Sequence, residues 1–362
     1  DMPTVGRVFD TSVPKWKMTM SWQAVKAKML GYFCDNISIG VSRHDWFPAF
    51  AYWSRDEVRG EGRIRQLHPV LDVLRKRDRE VTFSRTPNLR CYERGGWVSY
   101  HDFDHSAPWW EDALAIGFPG MLSRLEANWK DDDFHRVRKS AAESILRLLD
   151  RLAGKASEVL EETTDVVGKA RLEKVHSSLR RLRVGAPQTA LDALNFIYLY
   201  WVISEVFENV QVRTLGNLDR LLMPYYRADL AEGRSTEAEF RDQLKHFWWQ
   251  WGSMDYYWGQ PVFVGGTEAD GSTCYNELSR IILDVHDELS LPTPKLHLKI
   301  GKSTPEWVWT KALDMARRQR SVTFCGEEPH WRVIRSFGYD EEEARTFMLW
   351  GCYEWAIKDS AN

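Results

Sequence analysis

The chain has 362 residues, 43% of them hydrophobic and 28% charged, long enough for one large domain or two. A net charge of −3 gives no basic footprint for nucleic acid, and the longest fully apolar run, Phe196 to Ile203, is far too short to span a membrane. Five scattered cysteines (Cys34, Cys91, Cys274, Cys325, Cys352), with no CxxC, argue against a disulfide framework or zinc cage and fit a reduced cytoplasm.

No secretory pattern opens the chain, and a start at Asp1 without Met reads as a cut or trimmed end. Residues 1–100 read as an irregular, partly helical N-terminal region, with a short strand at Trp97, Val98 and Tyr100 after the Gly95-Gly96 turn. From Pro108 to about Glu162 the pattern is helical, with Leu146, Leu148, Leu149 and Leu152 as its apolar stripe. Residues 169–182 form a basic amphipathic helix with a solvated face. After Gly185 and Pro187, a helix from Thr189 to Glu208 is apolar almost all round, so it is expected to be buried. Thr236 and Glu239 make a capping box ahead of Phe240, Leu244, Phe247, Trp248 and Trp251. Many of the 18 Trp read as core or interface area, some of them as cavity lining.

The last third alternates. Val262–Val264 reads as a buried strand broken by Gly265-Gly266, and Leu278 to Leu289 as a helix. Leu296, Leu298 and Ile300 alternate with His297 and Lys299 at the strand period. Thr304 with Pro305 caps a further helix, and Val322 and Phe324 suggest a strand. Asp340 and Glu343 cap a short helix, after which Phe347–Trp350 runs into Gly351-Cys352. Strand–helix–strand alternation gives an α/β class and leaves open sheet and barrel both standing.

The chemistry concentrates in Gly351-Cys352-Tyr353-Glu354-Trp355. Glycine permits a tight turn and close approach of another chain segment. Residues two apart in an extended or tight loop share a side, so Cys352 and Glu354 can reach one substrate. The bland alternative is a buried, inert cysteine. A hydrolase with Cys352 as nucleophile would need a histidine partner, and none is close in sequence. His101, Asp102, Asp104 and His105 resemble a metal cluster but read as a solvated polar loop, so no metal is expected. His330, beside Pro329 and Trp331, reads as a helix-start residue.

Gly-Cys-X-Glu after such a stretch resembles the cysteine loop of glycyl radical enzymes of the dehydratase and lyase type, within the pyruvate formate-lyase-like group. Other segments carry the likeness: Gly216, Leu218, Asp219, Pro224-Tyr225-Tyr226, Asp229-Leu230 and Gly233; Gly265-Gly266, Asp270-Gly271 and Asn276-Glu277-Leu278-Ser279; Leu291 to Ile300; Phe337-Gly338-Tyr339 with Ala344-Arg345; and residues 105–120. It extends over roughly residues 95–362. Asn217 stands where the family has Arg, and Tyr353 and Trp355 replace the common Val and Pro. A single cysteine after Gly argues against pyruvate formate-lyase itself, which uses adjacent cysteines.

The resemblance implies a ten-stranded α/β barrel of two half-barrels. Residues 101–362 then supply helical wrapping and the first five-stranded half-barrel, ending at the cysteine loop. The strands near 262–264, 296–300, 322–324 and 347–350 are expected to be parallel neighbours. Their inner face is expected to be exposed or covered by a partner. Cys352 carries the thiyl radical that takes a substrate hydrogen, and Glu354 is the general base that helps expel the adjacent group. His105 and Thr214 contact the substrate; their bland readings are a polar-loop histidine and a turn-forming threonine. The chain binds no cofactor. A protein glycyl radical is expected in a C-terminal segment absent here, made by a radical SAM activating enzyme, so the chain alone is expected to be inactive. The implied reaction is loss of a leaving group beside a C–H in a small polar substrate. Decarboxylation or C–N, C–S or C–C cleavage is the alternative within the family, and a non-catalytic half or scaffold the alternative outside it. A homodimer or a missing C-terminal half, a cytoplasmic location, and neither nucleic acid nor membrane complete the expectation.

Overall fold

The structure is a computed structural model and describes residues 15–51, 106–207, 214–253, 260–350 and 354–358, with Ser12 and Val212. The strand expected at 97–100 and the loop of His101 to His105 lie outside the described residues.

The first part of the chain is a helical wrap. Helix α1 (Trp22–Asn36) is capped by Ser21, whose hydroxyl accepts from the Ala24 N–H, and it is followed by the two short antiparallel strands β1 (Ser38–Gly40) and β2 (Ala49–Ala51). The helical stretch from 108 is two helices, not one: α2 (Trp110–Ala127) and α3 (Asp133–Glu162). Asp132 separates them, because its carboxylate accepts from the His135 N–H and starts α3 afresh. Within α2 the backbone turns at Gly117, whose φ of 63° suits only glycine, where a side chain would strike the backbone at Gly185. The basic helix α4 (Val166–Val184) buries Leu172, Val175, Leu179 and Leu182.

Helix α5 (Ala190–Trp201) is buried on all sides, as its composition predicts. It begins at a reciprocal capping box between Thr189 and Asp192 and passes into a π-helical stretch, Val202–Phe207. Helices α6 (Leu218–Ala231) and α7 (Glu237–Ser253) follow. At α7 only half of the expected capping box forms: Thr236 accepts from the Glu239 N–H, whereas the Glu239 carboxylate is drawn away to Lys174, Ser235 and Gln243. The fully buried Trp110, Trp201, Trp248 and Trp251 belong to this helical core.

The remainder is α/β. Strands β3 (Pro261–Gly265), β4 (Lys295–Ile300) and β5 (Val322–Gly326) form a parallel sheet in that order, alternating with α8 (Glu277–Leu289) and α9 (Glu306–Arg317). Helix α9 begins one residue later than expected. Pro305 takes the cap position, and the Thr304 hydroxyl instead accepts from the Gly301 N–H. Helix α10 (Glu327–Ser336), the expected capped helix α11 (Glu341–Arg345) and a hairpin of β6 (Met348–Trp350) and β7 (Glu354–Ala356) end the described fold.

The sheet continues beyond β3. The Leu215 N–H donates to the Pro261 carbonyl and the Phe263 N–H to the Gly216 carbonyl, with Asn217 in parallel register beside Phe263. Val212, on the same track, bridges in parallel to Ser106. Five parallel tracks therefore lie side by side, through Ser106, Val212 with 215–217, β3, β4 and β5. The expectation that 347–350 belongs to this parallel set is corrected, because β6 pairs antiparallel with β7.

Candidate active site

Alternation along the strands gives the sheet two faces. Val262, Val264, Leu296 and Leu298 point into the helical core. Phe263, His297, Lys299 and Cys325 occupy the opposite, inner face, with Phe263 level with His297 and Lys299 level with Cys325. All four are at most 3% exposed, which corrects the expectation of an open inner face. The cover comes from within the chain: Ile334 of α10, Ala344 of α11, and Phe347 and Leu349 at β6 pack with Phe263 and Cys325.

The hairpin thus lies across the inner face of the sheet. Its register sets Met348 against Ala356, Leu349 against Trp355 and Trp350 against Glu354. Leu349 and Trp355 face the sheet. Met348 and Ala356 line a cleft of about 820 Å3 on the other side, and strand alternation puts Glu354 on that same cleft side, where it is exposed. Gly351, Cys352 and Tyr353 join the two strands and lie outside the described residues. The cleft opens where three parallel tracks end, at Pro108, Asn217 and Thr267. Ligands of parallel α/β sheets characteristically bind beyond the carboxyl ends of the strands.

His105 lies outside the described residues, but the Ser106–Val212 bridge brings the chain just after it beside the track that carries Thr214. Thr214 is fully buried. Its hydroxyl accepts from the Gly216 N–H and its carbonyl from the Trp110 indole, so the side chain shapes a turn. Among the described residues no cluster of three metal-ligating side chains occurs.

The inner face also carries polar groups that neither motif nor capping pattern singles out. The Lys299 ammonium has no hydrogen bond or ion pair among the described residues and sits 4.6 Å from the centre of the Phe347 ring. Burial pushes this amine down to about 8, opposed by the nearby Glu327 carboxylate. Glu327, 2% exposed, accepts from the Thr267 N–H at 2.9 Å and the Thr267 hydroxyl at 2.6 Å. His297 packs against Phe263 at 4.9 Å, and burial together with the Lys295 charge pushes it down to about 4. Burial raises the Cys325 thiol to about 11. One signal was available in the sequence: a strand of a parallel sheet is covered on both faces, so the His and Lys alternating with its leucines face a lumen rather than water.

A family model described as pyruvate formate lyase-like matches residues 74–360. Trans-4-hydroxy-L-proline dehydratase of Clostridioides difficile is 27% identical over 324 residues, covering 80% of this chain and 40% of that protein. Isethionate sulfite-lyase of Desulfovibrio desulfuricans is 26% identical, covering 71% of this chain and 33% of the relative. The crystal structure of the C. difficile hydroxyproline dehydratase with its substrate superposes with a TM-score of 0.81 at 20% identity, over 97% of this chain and 52% of that one. The chain therefore spans about half the length, or less, of the relatives it matches.

Proposed function

The chain belongs to the pyruvate formate lyase-like family, whose matched relatives are glycyl radical enzymes, and on that premise we propose that it is the cysteine-loop half of a radical lyase of the dehydratase kind. One observation carries the reading: the strands that flank Gly351-Cys352-Tyr353 in sequence pair antiparallel over the inner face of the parallel sheet, and Met348 and Ala356 of that pair line a cleft at the strand ends, the side on which strand alternation puts Glu354. In this reading Cys352 takes a hydrogen from a substrate carbon. Glu354 accepts the proton of a hydroxyl on that carbon as the adjacent group departs, a contribution of about 10²- to 10⁴-fold for a placed general base. In this reading His105 contacts the substrate, whereas Thr214, fully buried with its hydroxyl engaged by the Gly216 N–H, acts only by shaping its turn. The one-electron chemistry comes from a protein glycyl radical, which we place in a C-terminal segment outside this chain.

A small polar substrate, a radical SAM activating enzyme, and either a homodimer or a separate C-terminal half complete the proposal. No described helix is long and apolar enough to cross a membrane. The isethionate sulfite-lyase relative supports C–S cleavage as the second reading, and a 4-hydroxyphenylacetate decarboxylase glycyl radical subunit of Clostridioides difficile, 23% identical over 53% of this chain, supports loss of CO2. Product analysis separates the three.

The test uses the complete enzyme. Cys352→Ala is expected to abolish turnover and Glu354→Gln to lower it by at least about 10²-fold, while the glycyl radical signal in electron paramagnetic resonance persists in both. Normal turnover in Cys352→Ala would refute the mechanism.

A further inference from the structure

Besides the apolar packing of Leu349 and Trp355 on the sheet, one imidazole meets the hairpin. Trp355 of β7 donates its indole N–H to His330 Nδ1 at 2.9 Å. The same ring packs on Phe347, just ahead of β6, with centroids 4.9 Å apart and planes 31° apart. Phe347 is fully buried, and the Lys299 ammonium lies 4.6 Å from its centre. Phe337 closes on Trp355 at 6.2 Å. The β7 arm and the residue that leads into β6 thus meet one side chain of α10, and α10 is anchored at its start by Glu327 on Thr267.

We propose that His330 is the positioning residue that latches the β6–β7 hairpin onto the sheet and so fixes where Glu354 stands; its relevance to catalysis rests on the reading of Cys352 and Glu354 above. An indole N–H only donates, so His330 Nδ1 accepts, and the ring is the neutral tautomer with its proton on Nε2. Burial, and then the Lys299 charge, push its basicity down and hold it in that form. Lys299 is the charge that bears on the ring from β4. On the histidine's own helix, Glu327 is engaged by Thr267 and Glu328 by Lys302 at 3.1 Å. Arg345 of α11 lies over Trp331 and donates to the carbonyls of Thr267 and Glu268. Phe347 and Trp355 present neutral rings. Protonation of His330 would set one N–H against another and release β7. The sequence departure at 355 is what makes the latch: proline, common at this place in the family, carries no donor.

The test needs only the 362-residue chain. In a ¹H–¹⁵N spectrum the Trp355 indole signal, identified by its loss in Trp355→Phe, is expected to shift as acid titrates His330 and to be displaced at all pH values in His330→Leu. Amide hydrogen exchange of the peptide spanning 347–357 is expected to rise about fivefold in His330→Leu and in Trp355→Phe, the effect of one hydrogen bond, with no further rise in the double variant. His330→Asn restores an acceptor and is expected to return exchange to within about twofold of wild type. Unchanged exchange in Trp355→Phe, additive effects in the double variant, or an indole signal indifferent to both pH and His330→Leu would overturn the latch. If His330→Leu does not fold, Trp355→Phe and the wild-type titration decide alone. Neither readout involves the Cys352 thiol, so failure of the radical reading leaves them unchanged.

Discussion

The two faces of the parallel sheet are built by the same three strands and differ in what they bury. The helix-facing side carries Val262, Val264, Leu296 and Leu298, a dry and apolar surface. The inner side carries His297, Lys299 and Cys325 beside Phe263, equally buried, beneath the cysteine-loop hairpin. Burying the Lys299 ammonium, which has no bonded partner among the described residues, costs free energy that apolar packing elsewhere must offset. The helix-facing side therefore supplies stability, and the inner side, at a cost to it, presents the hairpin.

Substitutions can break or sharpen this contrast. The largest effect is expected where β3 ends. Gly265 has φ 77°, and a Cβ there would enter the Tyr275 ring, whose hydroxyl donates to the Lys299 carbonyl. Gly265→Ala is expected to cost more than about 4 kcal/mol in urea unfolding, through strain and collision together. Next, Leu298→Ala on the helix-facing side is expected to cost about 3 to 4 kcal/mol and leave exchange in the hairpin peptide unchanged, because it opens a cavity away from the inner face.

Lys299→Met tests the inner side through pH. The folded state holds this amine at about 8 against 10.5 in the unfolded chain, so the folded form loses its proton first. Below pH 8 the cost of the buried charge is fully present. From pH 8 to 10.5 the unfolded state binds more protons and stability rises, by about 3 kcal/mol from this group. Lys299→Met is expected to remove that rise and to be more stable than wild type at pH 7; equal pH slopes in the two proteins would show that the amine is not buried as described. The smallest effect is an absence. Cys325, 3% exposed with its thiol raised to about 11, is expected to stay unmodified by iodoacetamide at pH 8 while the chain is folded. Its rapid labelling would mean that the inner face opens.

Local patterns were legible because they are encoded within a few residues. The period-2 run at 295–300, the apolar α5 and the Asp340–Glu343 cap each appear where their spacing puts them. Local rules failed where another part of the chain competed. At Glu239, Lys174 captures the carboxylate that the capping box would have used. At Asp132, a cap divides a helix whose periodicity runs straight through.

The sequence by itself determined the α/β class and the family, and it is the source of the proposal for Cys352 and Glu354, because periodicity and a short motif are local properties of the chain. Tertiary structure alone decided that Ser106, Val212 and 215–217 join the sheet as parallel tracks, since a one-residue bridge leaves no periodicity to read. It also decided that 347–350 turns back as a hairpin over the inner face, and that His330 meets Trp355. Those contacts join residues far apart in the chain or on different elements, and their geometry is set by how the sheet, α10 and the hairpin pack together.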